Sequence, residues 1–218
     1  MKSESTHGTL WRQWHPKEVA CLLEAAGAPW WIAGGWAIDL FCGATTRQHA
    51  DLDVGILRVD VPSVRQAIST WQVFEAKDGR LTRLGSGRLP RREVHCLWCR
   101  PTGADRWAIE LMLDEGDREM WVYRRNRAIR RSMSAAVRQT ADGLPYLAPE
   151  IELLYKSKTP RDRDEMDFER TWRVLSVESR RWLHDAISLT DPRHPWLTST
   201  TRSAARGRAR GRAPTSPR

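Results

Sequence analysis

Residues 30–57 read WWIAGGWAIDLFCGATTRQHADLDVGIL, and the order of features in this stretch decides the fold. The apolar run Trp30–Ala33 is typical of a short buried strand, which the glycine pair at 34–35 ends. Residues Trp36–Cys42 follow with the composition of a helix. Asp51–Leu57 then alternates polar and apolar residues, which predicts a strand with one buried face. The stretch therefore predicts two strands joined through a glycine turn and a helix.

Two carboxylates open the second of these strands. Residues two apart on a strand project from the same face, so Asp51 and Asp53 are expected to lie side by side. Neighbouring carboxylates repel each other unless a cation lies between them, and such hard oxygen ligands suit Mg²⁺. Gly34 and Gly35 allow the backbone to approach a ligand closely, and the N-terminus of the next helix favours phosphate. Each feature alone also occurs in ordinary turns and strand ends, but their combination in this order predicts a metal and phosphate site.

A third carboxylate, Glu110, lies in the predicted strand Trp107–Asp114 (WAIELMLD). The odd-numbered residues from Ile109 onward are apolar, so Glu110 projects from the opposite face. A glutamate among apolar residues is costly unless it is paired or coordinated. If this strand neighbours the aspartate strand, Glu110 faces the same site, as a base or a metal ligand. The alternative is a solvent-facing residue on a half-exposed sheet. Asp114, at the strand end, is expected to be exposed.

The rest of the chain predicts helices packed on a small mixed sheet and then a C-terminal helical lobe, an α+β fold. Further helices are predicted at 16–27, 62–71, 149–158, 162–175 and 179–189. Further strands are predicted at 94–98 and between 122 and 131. The predicted organisation is an N-terminal extension (1–15), a catalytic domain (16–145), the helical lobe (146–198) and a disordered basic tail (199–218).

The composition of the 218 residues is that of a soluble globular protein, with 40% hydrophobic and 29% charged residues. No apolar run reaches the roughly 18 residues of a membrane span, and the first residues lack the apolar segment of a secretory signal. We therefore expect a cytoplasmic protein without membrane contact. The net charge is +9, but the segment from Ser199 onward holds six arginines and no acidic residue. That tail offers contacts to nucleic acid, although a solvated extension explains it equally well.

The segments GGWAID (34–39) and DLDV (51–54), with Gly43, Thr46, Arg47 and His49 between them, together resemble the aminoglycoside and lincosamide nucleotidyltransferases. These enzymes belong to the DNA polymerase beta-like nucleotidyltransferase superfamily. The segments LAPE (147–150) and LLYK (153–156), with the residues that follow, resemble the C-terminal part of the same branch. The resemblance is sharpest over residues 30–54 and extends over residues 16–197.

This resemblance implies the polymerase beta-like fold and a Mg²⁺-dependent transfer of a nucleoside monophosphate, usually AMP from ATP, with release of pyrophosphate. It implies that Asp51 and Asp53 bind the metals and that Gly34 and Gly35 contact the triphosphate. Glu110 falls where these enzymes carry their third carboxylate. The aminoglycoside enzymes have Asp there, so the choice between ligand and base stays open for Glu110.

Further site residues are expected around the same motifs. Arg47 and Lys156 are candidate contacts to the nucleotide phosphates. The alternatives are that Arg47 pairs with Asp39 to order the loop, and that Lys156 is an ordinary solvated helix lysine. Asp39 is a candidate substrate-binding residue, although a structural role is favoured for it and for His49.

Three functions are compatible with the sequence. The first is nucleotidyl transfer to a hydroxyl of a small, aminoglycoside-like molecule, as in antibiotic resistance. The second is transfer to tRNA or to a partner protein, as in toxin–antitoxin systems, and the basic tail keeps it open. The third is a catalytically silent nucleotide-binding protein, against which the presence of both Asp51 and Asp53 argues. An acidic helix face formed by Asp162, Glu165 and Glu169 favours a small cationic acceptor, although it also fits a solvated helix.

Overall fold

The computed structural model describes the backbone of residues 3–5 and all of residues 10–198. The predicted tail at 199–218 lies outside these ranges. The chain divides into two compact units, Met1–Glu152 and Leu153–Arg218. The division falls within a helix, whereas the predicted boundary lies earlier, between residues 145 and 146. Within the described part, no helix is both long and apolar enough to cross a membrane.

The first unit is built on a mixed sheet of eleven strands, counted over the described residues. The strands are β1 (Ser3–Ser5), β2 (Trp30–Ile32), β3 (Asp53–Leu57), β4 (Trp71–Lys77), β5 (Arg80–Arg83), β6 (Cys96–Pro101), β7 (Ile109–Gly116), β8 (Met120–Val122), β9 (Arg130–Ser132), β10 (Val137–Gln139) and β11 (Pro145–Leu147). Their order is β1-β5-β4-β6-β7-β3-β2-β11-β10, with β8 and β9 added at β7. The pairs β3–β7 and β2–β11 are parallel and the others antiparallel. The predicted mixed sheet is confirmed, and it is larger than expected.

Strands β4 and β5 were not predicted. The helix expected over 62–71 is α3 (Val61–Ala67), and Trp71 already begins β4. Strand β7 also continues past its predicted end to Gly116. The expectation that Asp114 is exposed is therefore wrong: the residue lies inside the strand and is 4% exposed.

Three longer helices and one short helix complete the first unit up to Leu147: α1 (Pro16–Leu23), α2 (Gly34–Cys42), α3 and α4 (Met133–Ala136). Helix α1 begins at a capping box between His15 and Glu18, with Pro16 in its first turn. It continues into a 3₁₀ turn that ends at Gly27, which has the left-handed φ of 59°. Its buried residues Val19 and Leu23 contribute to the core.

Helix α5 (Pro149–Lys156) contains the division between the units, and α6 (Asp162–Val174) and α7 (Val177–Thr190) form the second unit. The core of this unit includes Phe168, whose ring stacks on that of Trp196 with centroids 4.2 Å apart. The indole N–H of Trp196 donates to Glu165 at 2.8 Å. The three residues of the predicted acidic face of α6, Asp162, Glu165 and Glu169, are exposed.

Candidate active site

Three carboxylates meet at the sheet where β3 begins. Asp53 is the first residue of β3 and lies in register with Glu110 of the parallel strand β7. The Glu110 N–H donates to the Leu52 carbonyl at 3.0 Å, which ties Glu110 to the aspartate segment. One carboxylate oxygen from each of Asp51, Asp53 and Glu110 lies within 4.8 Å of the other two. The structure thus brings together the three side chains that the sequence placed in one site.

The electrostatics of this carboxylate cluster favour a bound cation. Burial raises the pKa of Glu110, and the negative charge of Asp51 raises it further. Hydrogen bonds from the Cys96 thiol and the Trp98 indole lower that pKa and only partly offset the effect. A divalent cation would relieve the repulsion among these carboxylates, and three hard oxygen ligands are a donor set that Mg²⁺ accepts. The residues present therefore fit a magnesium site.

The glycine turn lies directly against the carboxylate cluster. The Ala33 N–H donates to the Asp53 carbonyl at 2.9 Å. Gly34 has a left-handed φ of 64°, and a Cβ atom there would lie 2.0 Å from the Asp53 Oδ2 atom. Both the backbone conformation and the space therefore require glycine at this position.

The turn is fixed by a residue that the sequence analysis missed. The Gly34 N–H donates to the Glu152 Oε2 atom at 3.0 Å, and Glu152 is only 6% exposed. The next two amides, of Gly35 and Trp36, have no acceptor among residues 10–198. Helix α2 thus presents two unpaired N–H donors at its N-terminus, the arrangement that binds phosphate. The sequence did contain a signal for this role of Glu152. The residue lies within the largely apolar segment IELLYK (151–156), and a carboxylate buried in such a segment requires a hydrogen-bond partner.

The loop before β3 packs on the same turn. A Cβ atom on Gly35 would lie 2.2 Å from Arg47 Nη2 and 2.5 Å from His49 Nδ1, so both side chains contact this glycine. Asp39 accepts hydrogen bonds from the Thr46 hydroxyl and from His49 Nε2, the latter at 2.6 Å. Asp39 is 4% exposed. The geometry favours the structural role for Asp39 over the predicted substrate contact, and it places Arg47 beside the α2 N-terminus.

Lys156 belongs to a buried ion cluster of the second unit. Its Nζ atom lies 3.1 Å from both Asp164 Oδ1 and Asp167 Oδ2, and its side chain is 8% exposed. Burial alone would raise the pKa of Asp164, but hydrogen bonds from Arg161 and the charge of Lys156 outweigh it and hold that pKa well below its usual value. The alternative of a solvated lysine is therefore wrong. The triphosphate contact stays a prediction.

The mixed sheet and the carboxylate cluster agree with the nucleotidyltransferases of the polymerase beta-like class. The chain belongs to the aminoglycoside-2''-adenylyltransferase family, whose sequence model matches residues 17–171. This membership confirms the predicted branch and identifies an enzyme of the kind that modifies antibiotics. No curated protein matches the chain.

Solved structures share this fold. The crystal structure of ANT(2'')-Ia in complex with adenylyl-2''-tobramycin is 16% identical, with a TM-score of 0.53, and covers 80% of this chain and 98% of its own. The solution structure of ANT(2'')-Ia is 15% identical, with a TM-score of 0.52, and the match covers 86% of this chain and 95% of that structure. The lincomycin-bound lincosamide adenylyltransferase LnuA is 15% identical, with a TM-score of 0.50, and the match covers 73% of this chain and 95% of that structure. The predicted polymerase beta-like fold is confirmed.

The glycine turn provides a first test. We expect Gly34→Ala to abolish nucleotidyl transfer, because the new Cβ collides with the Asp53 carboxylate. Gly43→Ala is the matched control, since Gly43 has a similar φ of 70° but no atom within 4 Å of its Cβ position. Both variants should lose about 1–2 kcal/mol of unfolding free energy from backbone strain. Denaturant unfolding and transfer assays check this, and full activity of Gly34→Ala would contradict the close approach.

A second test concerns Glu152 as a positioning residue. Glu152→Ala leaves the Gly34 N–H without its acceptor, so the turn should loosen and the KM for the nucleotide should rise by about tenfold. Glu152→Gln keeps an acceptor oxygen and should stay close to the wild type. Steady-state kinetics on folded variants separates the two. Equal loss in both variants would show that the charge of Glu152 matters, and not its hydrogen bond to Gly34.

Proposed function

We propose that this enzyme transfers AMP from ATP to a hydroxyl group of an aminoglycoside-like antibiotic, with Mg²⁺ as its metal. The observation that carries the proposal is the convergence of three carboxylate oxygens, one each from Asp51, Asp53 and Glu110, within 4.8 Å of one another. The glycine turn lies against them, with a Cβ on Gly34 colliding with Asp53. Membership of the aminoglycoside-2''-adenylyltransferase family supports the choice of nucleotide and acceptor.

The chain supplies donors for the triphosphate and acceptors for the metal. The unpaired N–H groups of Gly35 and Trp36, at the positive end of α2, would donate to phosphate oxygens. Arg47, which contacts Gly35, adds a fixed positive charge at the same place. Asp51 and Asp53 would hold Mg²⁺, with Glu110 as a further ligand or as the base. When bound, Mg²⁺ would neutralise part of the negative charge of the phosphates and polarise their oxygens.

The reaction joins the acceptor oxygen to the α-phosphorus and breaks the bond from that phosphorus to pyrophosphate. The hydroxyl proton must leave as the new bond forms. Glu110 is the carboxylate best suited to accept it, because burial makes it more basic than an exposed glutamate. The acceptor hydroxyl would therefore approach from the side of Glu110.

The metal role of the aspartates is testable apart from the identity of the acceptor. We expect Asp53→Asn and Asp51→Asn to reduce transfer from α-labelled ATP to background while the melting temperature without metal is kept, because the substitution is isosteric and removes charge repulsion. Mg²⁺ should raise the melting temperature of the wild type and not of Asp53→Asn. Asp105→Asn, at an exposed site, is the control and should behave as the wild type. Retained activity in either aspartate variant would refute the assignment.

The acceptor is tested with a panel of aminoglycosides, lincosamides and tRNA, using the full chain and a chain that ends at Thr198. We expect label on an aminoglycoside with both forms. The exposed acidic residues of α6, Asp162, Glu165 and Glu169, agree with attraction of a cationic acceptor. Labelling of tRNA that is lost with residues 199–218 would instead establish the macromolecular function.

A further inference from the structure

A cavity in the first unit is lined by other residues than those of the carboxylate cluster. Its volume is about 530 Å³, within the range of small-molecule sites. It is lined by α3, the start of β4 and the loop after β5, residues 84–89. None of the residues proposed to bind metal or nucleotide lines it. This cavity therefore needs an explanation of its own.

The wall formed by residues 84–89 is a fixed loop. The Arg65 guanidinium, on α3, donates to three carbonyls of the loop: Arg88 at 2.5 Å, Gly85 at 2.9 Å and Leu84 at 3.4 Å. The loop turns at Gly87, which has a left-handed φ of 70°. One side chain thus fastens the loop to α3.

The charge of the cavity has a single sign. Arg65, Arg83 and Arg88 line it, and none of the described lining residues is acidic. Arg83 and Arg88 are exposed, and neither forms an ion pair with a residue of the described part of the chain. The carbonyls bound by Arg65 carry no net charge to neutralise it. The cavity is therefore a site of positive potential, which attracts anions and repels a cationic acceptor.

Several apolar residues line the cavity. Ile68, Val73 and Leu84 are buried and offer little surface to a ligand, whereas Trp71 is half-buried and Leu89 is exposed. The side chains of Gln66 and Ser69 add hydrogen-bonding groups. Accessible apolar side chains beside polar and charged groups are the usual composition of a small-molecule site, and they select ligands that combine a flat apolar group with a charged one.

We propose that this cavity, lined by Arg65, Arg83 and Arg88, is a second binding site for an organic anion that carries an aromatic or similarly flat apolar group. The apolar group would lie on Trp71, and the anionic group would accept hydrogen bonds from Arg83 and Arg88. The site is independent of the metal and of nucleotidyl transfer.

The probe is 1-naphthyl phosphate, titrated by calorimetry into the full chain in the presence of EDTA. We expect saturable one-to-one binding, with inorganic phosphate and 1-naphthol at least about tenfold weaker, because each supplies only half of the recognised chemistry. Arg83→Gln with Arg88→Gln should weaken binding by about tenfold or more. These arginines are exposed and form no ion pairs within the described residues, so the fold should be kept.

The matched control is Arg80→Gln with Arg92→Gln, which removes two exposed arginines that do not line the cavity. This control should bind the probe as the wild type does. Ser69→Trp, which places a bulky side chain in the cavity, should abolish binding without loss of nucleotidyl transfer. The proposal is overturned if the probe does not bind, if both arginine pairs weaken it equally, or if Ser69→Trp leaves its affinity unchanged.

Discussion

The parallel register of β3 against β7 is the constraint on which the site depends. Asp53 lies opposite Glu110, so their neighbours Val54 and Leu111 also pair and point to the other face, where both are fully buried. Burying a side chain of this size stabilises the fold by about 1.5–3 kcal/mol. A slip of one residue would move these apolar side chains to the carboxylate face and Glu110 into the core. The core therefore selects the register, and the register brings the carboxylates together.

The glycine turn adds a second constraint, because it places the partial positive charge of the α2 N-terminus next to the negative charge of the Asp53 carboxylate. The α2 N-terminus carries unpaired N–H groups, and the Asp53 carboxylate lies against Gly34. A helix N-terminus attracts both the carboxylate and a phosphate. Glu152 accepts the Gly34 N–H, so that donor is already paired. The next amides, of Gly35 and Trp36, have no acceptor among residues 10–198, and Arg47 contacts Gly35.

The sequence predicted the parts of the site that depend on local periodicity. Asp53 and Glu110 follow from the two-residue repeat of strands, and the glycine turn follows from its position between a strand and a helix. Asp51 was predicted on the same strand as Asp53, but β3 begins only at Asp53, so Asp51 reaches the carboxylate cluster from the segment before the strand. The contacts of Glu152 and Asp39 depend on how separate segments fold together, which no local pattern encodes. Strand β4 was missed because Trp71 also continues the helical spacing of the preceding segment, and a short run of this kind fits both periods. Asp114 was wrongly expected at a strand end. The first turn residue after it is Gly116, and the strand continues to that glycine.

The ion cluster around Lys156 limits what a substitution there can reveal. Lys156 is held between Asp164 and Asp167, both 1% exposed, and Arg161 also pairs with Asp164. Removing the lysine leaves buried carboxylates short of a partner, and breaking such a pair costs about 3–5 kcal/mol. Loss of activity in Lys156→Ala is therefore expected from instability alone, whether or not the lysine contacts phosphate. The Lys156 ammonium that would bind the triphosphate already stabilises the second unit through its ion pairs. A contact from Lys156 to phosphate is therefore shown only by a variant whose nucleotide affinity changes while its melting temperature does not.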